Sequence, residues 1–122
     1  MWVFCKQGFF SVVAHRDMHD CVLIRARFKG DLERLLESCV SISRGKDHSA
    51  LIQHTPEADY PWRMVWPKSG WVAMMQQIAS DVDYDNFKNR VHEGHGSPRD
   101  RAYLGCWMEL RHGQEEAERR QG

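Results

Sequence analysis

The chain is 122 residues long, with 17 basic residues against 17 acidic ones and a formal net charge of zero. That length allows one domain with a substantial core, and the balanced charge weighs against a general nucleic-acid binder, which usually carries a basic excess. No apolar run approaches the ~20 residues of a membrane-spanning helix, and the first residues lack the features of a signal peptide, so a cytoplasmic protein without a membrane partner is expected.

The first part of the chain is predicted to form three strands. Two short apolar runs, residues 2–5 and 9–15, flank a plausible hairpin turn at 6–8. Residues 21–29 alternate apolar with basic side chains, apart from Leu23. This period of two is typical of a strand with one dry face.

Gly30 is expected to end the third strand, and Asp31 to cap a short helix. Residues 41–49 are polar and are predicted to form an exposed loop. Two more strands are predicted at 50–54 and 61–66, on either side of a segment rich in turn-forming residues.

Two further helices are predicted in the last third of the chain. Ser69 can cap the first, whose apolar residues recur at helical spacing; they are Trp71, Met74, Met75, Ile78 and Val82. A short helical continuation is predicted over 83–92. The last helix is expected to begin at Ser97, which is followed by proline, and to end at Gly113. It is expected to bury Tyr103, Cys106, Trp107 and Leu110.

This order of elements predicts an α+β fold, in which an antiparallel sheet of about five strands carries helices on one face. The expected domain covers residues 1–112, with a C-terminal helical segment, and residues 113–122 form a charged tail that frays.

Three cations occupy every second position in the third predicted strand: Arg25, Arg27 and Lys29. At strand rise they would lie roughly 7 Å apart along one face. Guanidinium groups at that spacing can bind phosphate oxygens, and Arg63 would join them if its strand is a neighbour. The other interpretation is a solvated polar face, which antiparallel sheets commonly present to water.

A second candidate segment places aromatic and polar side chains together after a helix: Tyr84, Asn86 and Phe87. An aromatic ring can stack on a purine, and an asparagine can pair with its edge. The competing interpretation is that the two aromatic residues only dock a short helix onto the core. Arg101 and Arg111, on the last helix, are expected either to be solvated or to reach a ligand or a partner subunit.

No metal site and no cofactor are expected from the sequence. His92 and His95 lie three residues apart across a glycine, whereas the zinc-binding HExxH helix needs histidines four apart. The four cysteines are widely spaced and form no CxxC pair, so they are interpreted as reduced, mostly buried thiols; they are Cys5, Cys21, Cys39 and Cys106.

Several stretches together resemble a widespread family of small phage and bacterial proteins of unknown function. They include TPEADYPWR (55–63), and the most specific are RARFKGDLE (25–33) and DYDNFK (83–88). The organisation is also similar to that of the Thoeris anti-defence sponge proteins of phages. That resemblance implies an oligomer that sequesters cyclic ADP-ribose-type signals or cyclic oligonucleotides without cleaving them.

The sponge proteins build their ligand pockets from arginines, an aromatic residue and an asparagine near subunit interfaces. The positions here that would fit are Arg63, Phe87 and either Arg101 or Arg111. The resemblance and the basic residues therefore lead to the same hypothesis. The protein is expected to be a homo-oligomeric, non-enzymatic binder of a phosphorylated nucleotide.

Three other functions are compatible with the sequence. A protein-binding inhibitor, such as an anti-CRISPR-like module, would use the tryptophan-rich and basic surfaces and would have a protein partner. A small enzyme would use histidine or the carboxylates of Asp81, Asp83 and Asp85. A nucleic-acid binder would show a steep dependence on salt, but the zero net charge weighs against nucleic acid as a partner.

Overall fold

The alternating segments of the first half of the chain form a five-stranded antiparallel sheet, which confirms the predicted α+β class. The computed structural model describes residues 1–39, 48–87, 89–90 and 97–122. The strands are β1 (Trp2–Phe4), β2 (Phe9–Ala14), β3 (Cys21–Ala26), β4 (Gln53–His54) and β5 (Trp62–Pro67). In the sheet they lie in the order β1-β2-β3-β5-β4.

The first hairpin has the predicted turn. Cys5 and Gly8 exchange backbone hydrogen bonds of 3.0 and 3.1 Å. A Cβ atom on Gly8 would lie 2.6 Å from Cβ of Asp31, so the turn needs glycine because the two segments approach so closely.

Three helices are present in the described part of the chain: α1 (Lys29–Ser38), α2 (Lys68–Ser80) and α3 (Ser97–Gln121). The first two cover one face of the sheet and enclose the core with it. The core includes Phe10, Val12, Ile24, Leu32, Leu35, Met64, Trp71 and Met74. Burial of these side chains supplies the main stabilisation of the fold.

The third strand is shorter than predicted and Asp31 is not a helix cap. β3 ends at Ala26 and α1 begins at Lys29, with Phe28 at the N-cap position. The carboxylate of Asp31 is drawn into the interior, where it accepts hydrogen bonds from the backbone N–H of Phe9 (3.1 Å) and from Arg34 (2.6 Å). Asp31 therefore lies within the first turn of α1, two residues after its first residue.

Other predicted boundaries also move. Ser69 lies inside α2, whose N-cap is Pro67 without a side-chain hydrogen bond, and Val82 lies beyond the end of that helix and is exposed. The strand predicted at 50–54 is reduced to β4, because Ser49–Leu51 form a 3-10 turn. Most of the predicted loop at 41–49 lies outside the described residues.

The described residues divide into two compact units, Met1–Asp83 and Tyr84–Gly122. In the second unit α3 continues through Gly113 instead of ending there. A glycine inside a helix costs only about 1 kcal/mol, and side-chain pairs four residues apart support the helix beyond it. These pairs are Arg111–Glu115, Gln114–Glu118 and Glu116–Arg120.

Only part of the predicted apolar side of α3 is buried. Tyr103 is buried, whereas Cys106, Trp107 and Leu110 are exposed in the isolated chain. Of the helix predicted over 83–92, Phe87, Asn89 and Arg90 are helical, and the backbone N–H of Arg90 donates to the carbonyl of Asn86; residues 88, 91 and 92 lie outside the described residues. None of the helices in the described residues is long and apolar enough to cross a membrane.

Candidate functional site

The register of the strands aligns one residue from each strand in a row across the sheet. The row is Trp2, Ser11, Arg25, Arg63 and Gln53. Because neighbouring residues in a strand face opposite ways, and Ile24 and Met64 are in the core under α1 and α2, this row lies on the other face of the sheet, called the outer face below.

Arg25 is held at the centre of the row by the strand beside it. Its Nη2 donates a 2.8 Å hydrogen bond to Oγ of Ser11, and its Nε lies 3.4 Å from the carbonyl oxygen of the same residue. Ser11 is only 2% exposed. The guanidinium is therefore fixed against the sheet.

The segment between β4 and β5 brings Tyr60 over this guanidinium. Backbone hydrogen bonds from Thr55 to Pro61 (2.7 Å) and from Ala58 to Thr55 (3.0 Å) fold the segment into a closed turn. The Tyr60 ring centroid then lies 4.8 Å from Cζ of Arg25 and 4.6 Å from Cζ of Arg27. Both distances are within the range of a cation–π interaction.

Two more hydrogen bonds hold the turn in place. Nη1 of Arg27 donates to the carbonyl of Asp59 (3.0 Å), and Nη2 of Arg63 donates to the carbonyl of Tyr60 (3.1 Å). Arg25, Arg27, Tyr60 and Arg63 are named the Tyr60 cluster below.

The Tyr60 cluster carries positive charge that the described residues do not neutralise. Among the parts of the chain that the structure describes, no carboxylate forms an ion pair with Arg25, Arg27 or Arg63. In addition, Nε of Arg63 is buried and has no hydrogen-bond partner in that part of the chain. Leaving a buried donor without an acceptor costs about 1–3 kcal/mol.

Aromatic side chains lie along the outer face, from the Tyr60 cluster to the edge of the sheet. The Phe9 ring lies 6.3 Å from Tyr60, stacks on Phe4 at 4.4 Å and meets Trp2 edge to face at 5.9 Å, measured between centroids. These four residues are named the aromatic strip. Sequence reasoning missed it, although the alternating positions of the first hairpin, Trp2, Phe4 and Phe9, are all aromatic and could have revealed it.

Lys29 is separated from the arginines that it was expected to join. As the first residue of α1, it lies with Nζ 5.6 Å from the ring centroid of Trp62. Trp62 is stacked on His54 at 3.9 Å, with an angle of 7° between the rings. Since Trp62 and Arg63 are adjacent in β5, their side chains emerge on opposite faces. The expected stripe of three cations is thus reduced to Arg25 and Arg27, with Arg63 added from β5.

The remaining predicted ligand-binding residues belong to the second unit. Asn86 uses its Oδ1 to accept the backbone N–H of Asn89 (3.1 Å), as a helix cap does. Phe87 stacks on Tyr103 with centroids 5.7 Å apart, and Tyr84 lies 5.9 Å from Phe87. These contacts are those of a small aromatic core.

Of the two predicted arginines on α3, Arg101 is exposed. Arg111 is engaged within its own helix. Its Nε donates to Glu115 at 3.0 Å, and its guanidinium lies 5.5 Å from the Trp107 ring centroid.

Groups with potential for catalysis or metal binding have structural contacts. The Cys5 thiol donates to the carbonyl of Gly8, and Nδ1 of His15 accepts backbone N–H groups in the turn after β2. Burial, reinforced by electrostatic interaction with Asp81 and then with Cys5, raises the pKa of the Cys39 thiol to about 11. Within the described residues, no three His, Cys, Asp or Glu side chains converge as metal ligands would.

Comparison with protein-family models, curated proteins and solved structures finds no match to this chain. The resemblance to the phage sponge proteins therefore stays a prediction.

Proposed function

We propose that this protein binds a small phosphorylated nucleotide at the Tyr60 cluster and releases it unchanged. In this proposal it is a phage anti-defence sponge that acts in the host cytoplasm on a signal of the cyclic ADP-ribose or cyclic oligonucleotide type. The observation that carries the proposal is the convergence of three guanidinium groups on Tyr60, two over its ring and one on its backbone carbonyl, with no ion pair to a carboxylate among the described residues.

The arginines retain donors for a ligand. A guanidinium has five N–H groups, and the hydrogen bonds described above use two from Arg25, one from Arg27 and one from Arg63. Charge-assisted hydrogen bonds to phosphate oxygens are stronger than neutral ones and can be bidentate. Because the turn holds the three groups in position, less side-chain entropy would be lost on binding.

Tyr60 supplies a stacking surface beside these charges. Base stacking on an aromatic side chain contributes about 1–3 kcal/mol per base. Tyr60 is partly buried and shares its ring with Arg25 and Arg27, so in this proposal a base stacks on the part of the ring that the two guanidinium groups leave open. The combination of stacking and charge suits a nucleotide better than a simple anion.

A homo-oligomer is part of the proposal. An open sheet face covers a ligand on one side only, whereas small-molecule sites usually bury most of the ligand surface. A second copy could enclose the ligand. The exposed Trp107 and Leu110 of α3 provide apolar surface for such an association.

Thermal melting with a panel of ligands tests the proposal. The panel contains cyclic ADP-ribose isomers, cyclic di- and trinucleotides and linear NAD, and each ligand is recovered after denaturation and identified by mass. A sponge gives a large upward shift with one class of ligand, which is returned intact. A cleaved product would make the protein an enzyme, and the absence of any shift would contradict nucleotide binding.

A second candidate function is supported by the apolar surface of α3. Leu104, Trp107, Met108 and Leu110 are all exposed large hydrophobic residues on one helix, and such patches commonly mark protein interfaces. This favours an inhibitor that binds a host protein. If the protein is such an inhibitor, Trp107→Ser should abolish the protection of phage against host defence in infected cells, and Arg27→Ala should preserve that protection. A sponge predicts instead that Arg27→Ala abolishes it.

A further inference from the structure

The aromatic strip exposes its far end to solvent, away from the arginines. Trp2 is 69% exposed and Phe4 is 40% exposed, and both belong to β1, the edge strand of the sheet. Phe9 lies between them and Tyr60. The outer face therefore offers aromatic surface at two places, one beside the guanidinium groups and one at the sheet edge.

An open antiparallel sheet face with aromatic rings and cations is suited to unpaired bases. Successive bases stack on the rings, and basic side chains bind the phosphates between them. A ligand with a single base would use only the Tyr60 end of the strip. The exposed indole of Trp2 would then have no role in binding.

We propose that the ligand contains at least two nucleosides, in a short linear or cyclic oligonucleotide. One base stacks at Tyr60, another at Trp2, and phosphates bind Arg25 and Arg27. This inference rests on the proposed function above and narrows its ligand class.

Charge favours this occupant over a second copy of the chain. An oligonucleotide is an anion and complements Arg25, Arg27 and Arg63. Two copies docked through their outer faces would bring two sets of these guanidinium groups into one interface, which like-charge repulsion disfavours.

Isothermal titration with two probes of similar charge provides the test. The first is the 5′-phosphorylated dinucleotide pApA and the second is ADP, which has two phosphates but one base. The wild-type chain is expected to bind pApA about tenfold more tightly than ADP, as one additional stacked base implies. Trp2→Leu is expected to abolish this advantage and Trp2→Phe to retain it, with melting temperatures confirming that both variants fold.

The outcomes separate this inference from the proposed function. Equal affinities for ADP and pApA, or a preference that survives in Trp2→Leu, would overturn the two-base ligand while leaving nucleotide binding intact. Binding of neither probe would overturn the two-base ligand, and the melting panel would then decide whether any nucleotide binds. If light scattering then showed a dimer that Trp2→Leu dissociates, the strip would be assigned to a contact between copies.

Discussion

The guanidinium of Arg25 donates a 2.8 Å hydrogen bond to Oγ of Ser11, the residue directly opposite it on β2. The same guanidinium lies 4.8 Å from the Tyr60 ring centroid. Arg25 thus joins the sheet to the turn that covers it. Its planar, forked shape allows a side contact with the hydroxyl and a face contact with the ring, which a lysine ammonium cannot reproduce.

Arg25→Lys is therefore expected to weaken nucleotide binding by at least about tenfold, although the charge is kept. Isothermal titration of the ligand that gives the largest melting shift measures the effect. Lys68→Arg, an exchange between the same residue types at an exposed position, serves as the control. Unchanged affinity in Arg25→Lys would mean that only net charge matters at this position.

Arg27→Ala is expected to abolish measurable binding with little change in melting temperature. Arg27 is exposed, and its contacts are one hydrogen bond to the Asp59 carbonyl and the face of Tyr60, so its contribution to stability is small. Arg16→Ala removes another exposed arginine at the opposite end of β3 and should leave binding intact. Equal losses in both variants would point to general charge attraction instead of a defined site.

Asp31→Asn tests the contact that anchors α1 beside the first hairpin. Asp31 is 1% exposed and accepts hydrogen bonds from Phe9 and Arg34. Removing one partner of a buried ion pair typically costs about 3–5 kcal/mol, and because Arg34 is partly exposed we expect a value of about 2–3 kcal/mol. Urea unfolding measures it. Glu33→Gln, an exposed neighbour on the same helix, should change stability little.

The buried thiol of Cys39 is expected to make the free energy of unfolding sensitive to alkaline pH. The pKa of its thiol is raised to about 11, first by burial and then by electrostatic interaction with Asp81 and Cys5, whereas an unfolded cysteine titrates near 8.5. Between these values the unfolded chain loses the proton and the folded chain keeps it. The free energy of unfolding should therefore be fully retained below pH 8.5 and fall as the pH rises through 11.

Other groups also titrate at alkaline pH, so the slope of the unfolding free energy against pH is compared between the wild type and two cysteine variants. Cys39→Ala should lose less stability than the wild type between pH 8.5 and 10.5, even if it is less stable at neutral pH. Cys106→Ala, at an exposed cysteine, should follow the wild-type slope. Identical slopes in all three proteins would show that Cys39 ionises equally in both states.

Local sequence patterns predicted the strands that form the site, but contacts between residues far apart in the sequence determine which residues belong to it. The alternation in β3 placed Arg25 on the polar face correctly, because a period of two is a property of neighbouring residues. Lys29 instead lies in the first turn of α1, the helix whose Asp31 carboxylate accepts the backbone N–H of Phe9, more than twenty residues away. The sequence pattern around Lys29 does not predict that contact.

Tyr60 was missed for a related reason. The segment around it was identified as turn-rich, but a turn's position over a sheet depends on hydrogen bonds such as that from Arg63 to the Tyr60 carbonyl. On α3, apolar spacing predicted four buried residues, although burial depends on what the helix packs against. Only Tyr103 of the four is buried in the isolated chain.

Nuclear magnetic resonance tests the central claim most directly, because a chain of this size allows each backbone amide to be followed during a titration. With pApA as the added ligand, the account predicts shifts concentrated at Ser11, Arg25, Tyr60 and Arg63, including the Arg63 Nε–H that has no partner among the described residues. Shifts confined to α3, or none at saturating ligand, would contradict a nucleotide site on the outer face.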